Sequence, residues 1–165
     1  MATRGIIPSR QTEYYSLSLE NKVKRERFGK KMLLYEDHPA IVIMEGLLYY
    51  LTMDTINALF KLYAATLPTG SLVIFDFWGP DADTYPAVRG LKQYLSRRRA
   101  MPARGFTYLD MQYISEIEGF NVIEHTDIAA LERQYSESRV LQDRNNRLPG
   151  EYVVLGRQSY QLGLM

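Results

Sequence analysis

Apolar positions along the chain fall into two kinds of pattern. Residues 40–45, AIVIME, form a continuous run rich in β-branched side chains. That suits a strand buried on both faces, as in a parallel sheet. Thr52 follows as a plausible N-cap, and Met53, Ile56, Leu59, Phe60, Tyr63 and Leu67 then recur at three- and four-residue steps. This is the spacing of an amphipathic helix, and Pro68, Thr69 and Gly70 stop it. SLVIFDFW, residues 71–78, is a second buried strand of the same kind, ended by Gly79, Pro80 and Asp81. Residues 86–99, with Val88, Leu91 and Leu95, predict a helix ending in the basic run Arg97, Arg98 and Arg99. Residues 108–118 predict another, with Met111, Ile114 and Ile117 on one side and Gly119 just past its end. Residues 120–125 and 151–155 read as strands, and 136–149 as a long polar loop. Ahead of the first strand, Leu19, Val23 and Phe28 are too sparse for a broad stripe. Residues 16–33 therefore predict a short exposed helix, broken by His38 and Pro39. Residues 1–15 are polar and irregular.

Strands that alternate with helices imply an α/β fold with a largely parallel sheet of about four strands. The last two strands can form an antiparallel hairpin across their loop. At 165 residues, 46% hydrophobic and 24% charged, the chain has the size and composition of one globular domain. The elements divide it into an irregular and helical segment over 1–36, the α/β domain over 37–158 and a tail over 159–165. A net charge of +1 provides no global field for nucleic acid or acidic lipid. The longest apolar stretch, about eleven residues, is too short to span a bilayer, and the N-terminus carries no secretion signal. With no cysteine there are no disulfides, thiolate metal sites or cysteine nucleophiles, which fits a cytoplasmic protein.

Candidate chemistry gathers at one end of the predicted sheet. Glu45 ends the first strand and Asp76 lies near the end of the second, and open α/β sheets bind ligands outside the carboxyl ends of their strands. Carboxylates there accept hydrogen bonds from an ammonium group or a ribose hydroxyl, and Gly46 would let backbone or ligand approach closely. The alternative is structural: Glu45 caps the following turn and Asp76 begins a loop. Tyr49 and Tyr50 line a substrate pocket with Asp76, or the two tyrosines form a half-buried pair at the sheet edge. His38 and His125 are far apart with no H-x-x-x-H pattern, so no metal site is expected. No G-x-S-x-G elbow and no G-x-G-x-x-G loop occurs.

The stretch HPAIVIMEGLLYYLTMDTINALFKLYAATLPTGSLVIFDFW, residues 38–78, resembles the central segment of the leucine carboxyl methyltransferase-like family, class I S-adenosylmethionine-dependent O-methyltransferases. The matching residues are Glu45, Gly46, Leu47, Leu48, Tyr50 and Leu51 of the E-G motif, then Gly70, Ser71 and Asp76. SEIEGFNVIEH (115–125) and EYVVLGRQ (151–158) are similar to its later strands, and NKVKRERF (21–28) loosely resembles the helix that precedes the motif. The resemblance implies a partial Rossmann-like methyltransferase sheet, its fourth to seventh strands, with an antiparallel final strand. It implies S-adenosyl-L-methionine as cofactor, with Glu45 at its methionine end, Tyr50 near the methyl-transfer site and a small molecule or protein as acceptor. The family's D-x-G-x-G loop and first three strands have no counterpart here. Two functions are therefore expected: methyl transfer to a carboxylate or hydroxyl, or a non-catalytic remnant or interaction module that pairs with a partner chain. In either case the outer edge of the first strand needs cover, from the N-terminal helix, a second copy or a separate chain.

Overall fold

The computed structural model describes residues 14–33, 38–100 and 105–158. Parts of the expected N-terminal segment, its boundary at residue 37 and the whole of the expected tail lie outside the described residues. The elements run α1 (Lys22–Met32), β1 (Ile41–Met44), α2 (Met53–Thr66), β2 (Leu72–Trp78), α3 (Pro86–Arg97), α4 (Met111–Ser115), β3 (Phe120–Asp127), α5 (Ile128–Tyr135) and β4 (Gly150–Arg157). They build one four-stranded sheet in the order β1-β2-β4-β3. β1 pairs parallel with β2, and β4 runs antiparallel to both of its neighbours. Three strands thus point one way and the last opposes them, as expected.

The sheet register sorts side chains onto two faces. One face carries Met44, Val73, Phe75, Phe77, Val153 and Leu155, all at most 4% exposed. Against it lies α2, whose predicted stripe is buried: Ile56 and Leu59 are fully covered and Phe60 nearly so. The predicted cap forms, with the Thr55 N–H donating to Thr52 Oγ1 at 3.2 Å. α1 packs on the outside of α2, so closely that a side chain at Gly29 would overlap Leu62.

The other face corrects one expectation. β1 is not buried on both sides: Ile41 and Ile43 are 64% and 69% exposed. A continuous apolar run reports a hydrophobic strand, but whether both faces are covered depends on helices elsewhere in the fold. The helix expected over 108–118 shrinks to five residues, capped by Asp110 through the Tyr113 N–H at 2.7 Å. α5 lies in a stretch the hydrophobic periodicity left unassigned. It starts at Asp127, whose carboxylate accepts from the Ala130 N–H at 2.6 Å.

Arg157 locks the amino end of this layer. It is 9% exposed and donates to the Ala64 carbonyl at 2.7 Å, in the last turn of α2, and to the Gly119 carbonyl at 2.9 Å. Carbonyls of a helix's last turn have no partner within the helix. Arg157→Met should therefore cost about 2–3 kcal/mol, the worth of buried charge-assisted hydrogen bonds. Urea unfolding measures this, and a loss below about 0.5 kcal/mol would mean that water replaces the guanidinium there.

Candidate functional site

The candidate residues meet where β1 and β2 end. Met44 pairs with Phe75, and one further step along the parallel strands sets Glu45 beside Asp76. Asp76 lies inside β2 rather than at the start of a loop, and is 8% exposed. Its Oδ1 accepts from the Gly46 N–H at 2.6 Å, joining the end of β1 to the middle of β2. Glu45 is exposed and makes no hydrogen bond or ion pair with the described residues. It does not cap the turn, and its carboxylate is open to solvent.

Gly46 is required for a reason other than open space. Its φ is +63°, in the left-handed region that side chains disfavour. This reversal turns the chain from β1 into the short 3-10 turn Leu48–Tyr50, and it aims the Gly46 N–H at Asp76.

Aromatic rings wall the site. Tyr49 stacks on Trp78, with centroids 4.2 Å apart and planes 14° from parallel. Tyr50 tilts against Tyr49 at 4.7 Å and meets Phe106 edge-on at 5.6 Å. Trp78, Phe106, Ala82 and Val88 form the centre of a second apolar cluster, separate from the core under α2. The irregular segment that carries Phe106 is tied across the sheet end: the Thr107 N–H donates to the Tyr49 carbonyl, and the Leu109 N–H to the Trp78 carbonyl, both at 2.9 Å. Tyr152 of β4 stands directly opposite Asp76.

The ionisable groups here disfavour additional negative charge. Burial raises the Asp76 carboxyl above its ordinary value, the Gly46 hydrogen bond opposes that, and the Glu45 charge adds to it. The Tyr49 hydroxyl is pushed up to about 12, first by burial and then by Asp76. Burial also raises Tyr152, with further contributions from Asp76 and Glu45. At neutral pH these tyrosines are hydrogen-bond donors, not bases. Two adjacent carboxylates backed by neutral phenols and ring faces form a site suited to a cation.

The fold therefore brings Glu45, Gly46, Asp76, Tyr49 and Tyr50 to one rim. Tyr50, 43% exposed, sits at its outer edge. Trp78, Phe106 and Tyr152 were not recognised from the sequence. Trp78 lies two residues beyond Asp76 in the same strand, so period-two alternation could have placed it on the same face. Tyr152 becomes visible only through the β2–β4 register. His125, unassigned in the sequence, pairs with Glu151 at 2.7 Å. That pair lines a separate cavity of about 410 Å³, together with Thr126, Asp127 and Arg147. None of the described helices is long and apolar enough to cross a membrane.

No protein-family model and no curated protein sequence matches the chain. Solved structures do. A DUF574 family protein from Streptomyces avermitilis superposes with a TM-score of 0.54 at 12% identity, over 75% of this chain and 46% of that one. A SAM-dependent methyltransferase from Anabaena variabilis superposes with a TM-score of 0.53 at 10% identity, over 88% of this chain and 58% of that one. At such identities the likeness is one of fold: a partial Rossmann-like methyltransferase sheet. The chain spans about half the length of the structures it matches.

Proposed function

We propose that the rim formed by Glu45, Gly46 and Asp76 receives the methionine end of S-adenosylmethionine, and that the chain belongs to an O-methyltransferase of the leucine carboxyl methyltransferase-like kind. The acceptor would be a carboxylate or hydroxyl of a small molecule or protein. One observation carries the reading: the solvent-facing Glu45 carboxylate beside a buried Asp76, held by the Gly46 N–H at 2.6 Å, at the carboxyl ends of two parallel strands. The E-G-L-L-Y-Y-L resemblance and the methyltransferase fold support it.

Bound there, the cofactor would supply an electrophilic methyl group on a sulfonium. The chain's own residues would supply position. Glu45 offers its free carboxylate to the ammonium, and Asp76 sets the turn that carries Glu45. Tyr49 and Tyr50 present ring faces and hydroxyl donors toward the acceptor. Methyl transfer depends chiefly on alignment. A carboxylate acceptor needs no base, consistent with the raised Tyr49 hydroxyl, which stays protonated.

The measurement is calorimetric titration of the chain with S-adenosylmethionine. Expected is weak binding, of about millimolar Kd, weakened about tenfold in Glu45→Gln by loss of one charge-assisted contact of about 1.4 kcal/mol. Equal affinity for the two proteins would remove Glu45 from the site. An absence of heat at saturating cofactor would show that this chain does not bind the cofactor unaided.

A further inference from the structure

The turn after β2, the end of β3, the start of α5 and the segment that leads into β4 enclose the cavity of about 410 Å³ that holds the His125–Glu151 pair. Small-molecule pockets have volumes of this order. The cavity is distinct from the acidic rim. His125 faces the same way as its cross-strand partner Val153, and Glu151 the same way as Phe77, toward α2. Asp76 and Tyr152 face the other way, and β1, which leads to Glu45, is three strands from β3. The polar segment between α5 and β4 is pinned around the cavity. Glu132 of α5 accepts from the Leu141 N–H at 2.9 Å and from the Gln142 side-chain amide at 2.8 Å. On the β2 side, Arg144 donates to Asp81 Oδ2 at 2.9 Å and to the Thr84 hydroxyl, and its guanidinium lies 4.1 Å from the centre of the Tyr85 ring. Gly79 leaves the room in which Glu151 sits: a side chain there would come within 2.9 Å of Glu151 Oε1.

Not every charge in the cavity is matched. Asp81 is paired with Arg144, and Glu151 is engaged by His125 Nε2 at 2.7 Å. Arg147 and Asp127 are left over. Arg147 Nη1 donates to the Leu141 carbonyl at 3.0 Å, and its charge meets no carboxylate among the described residues. Asp127 accepts from the Ala130 N–H through Oδ1, and only the helix end it caps offsets its charge. Both side chains line the one cavity without pairing with each other. A ligand that carries both signs satisfies the two at once. We propose that the cavity is a second small-molecule site whose ligand is an amino acid, bound as the zwitterion. Arg147 takes the carboxylate, to which its planar fork of donors is suited, and Asp127 takes the ammonium. Ile128, Leu148 and Pro149 give the carbon chain an apolar wall. A simple anion would gain at Arg147 but meet the charges of Asp127 and Glu151. A simple cation would gain at Asp127 but meet Arg147. Each therefore loses at one end what it gains at the other.

Titration of the full chain followed by amide NMR tests this without cofactor, so this site and the S-adenosylmethionine site can fail separately. The probes are L-leucine, whose two charges are adjacent, and ε-aminocaproate, whose charges lie a carbon chain apart. Expected is saturable, equimolar binding of at least one of them, with a Kd of about millimolar, that shifts the amides of Ile128 and Gly150. Caproate and hexylamine, each with one of the two charges, should bind at least about tenfold more weakly. Arg147→Gln and Asp127→Asn should each weaken the zwitterion about tenfold at an unchanged melting temperature. Glutamine keeps a donor for the Leu141 carbonyl, and asparagine still caps α5. Glu45→Gln should leave probe binding as it is; a loss there would place the amino acid at the acidic rim and overturn the proposal. Caproate as tight as the zwitterions, or an unaltered affinity in either cavity variant, would also overturn it. So would unchanged spectra with both probes at every concentration.

Discussion

Phe60→Ala lowers stability by about 3–5 kcal/mol, the usual cost of emptying a large aromatic site in a packed core. Phe60 is 3% exposed and meets three rings edge-on: Phe75 of β2 at 5.4 Å, and Phe120 of β3 and Tyr63 of its own helix at 6.4 Å. It joins α2 to both halves of the sheet, so no single neighbour can move in to fill the void. Domains of this size hold only about 5–15 kcal/mol in total. The variant should unfold at a much lower urea concentration with little change in slope. A loss below about 1 kcal/mol would mean that α2 is not seated on the sheet as described.

Asp76→Asn has two effects of opposite kind. The amide keeps an oxygen for the Gly46 N–H but removes a charge that burial and Glu45 disfavour. A carboxyl raised in the folded state holds its proton to higher pH than it does in the unfolded chain. Ionisation therefore erodes stability as pH rises from the ordinary value of 3.8 through the folded value, and the loss is complete above that. At pH 7 the asparagine variant should be as stable as the parent or more so, by up to about 1 kcal/mol, and this part of the pH dependence should vanish. Urea unfolding between pH 3 and 7 reads both. Cation affinity moves the other way: loss of the second carboxylate should weaken S-adenosylmethionine binding about 10- to 100-fold, or about 1.5–3 kcal/mol. A variant less stable at neutral pH with unchanged binding would make Asp76 purely structural.

Glu45 shows how much of the site could be read in advance. A charge ending an apolar run, followed by glycine, marks the end of a strand. The strand end held in the fold, although one face of the strand is exposed and Gly46 serves the turn through its left-handed backbone rather than by leaving room. Tyr152 shows the limit. Nothing near it in sequence connects it with Asp76, because they are neighbours only through the antiparallel pairing of β2 with β4. The short α4 and the missed α5 have a related cause. Segments of five and eight residues carry too few turns for apolar periodicity to register, so their cap residues, Asp110 and Asp127, were the more telling signals.

The sequence by itself determined the α/β class, both apolar strands of the parallel pair, α2 with its cap, and Glu45 and Asp76 at one end of the sheet. These follow from local physics: side-chain periodicity, β-branching and the conformational limits of proline and glycine. The tertiary structure alone decided that Ile41 and Ile43 face outward, that Tyr152 joins the acidic rim, and that Arg157 closes the end of α2. Each depends on which strand lies beside which and on which face receives a helix, and pairing across so many residues leaves no trace in any one stretch of sequence.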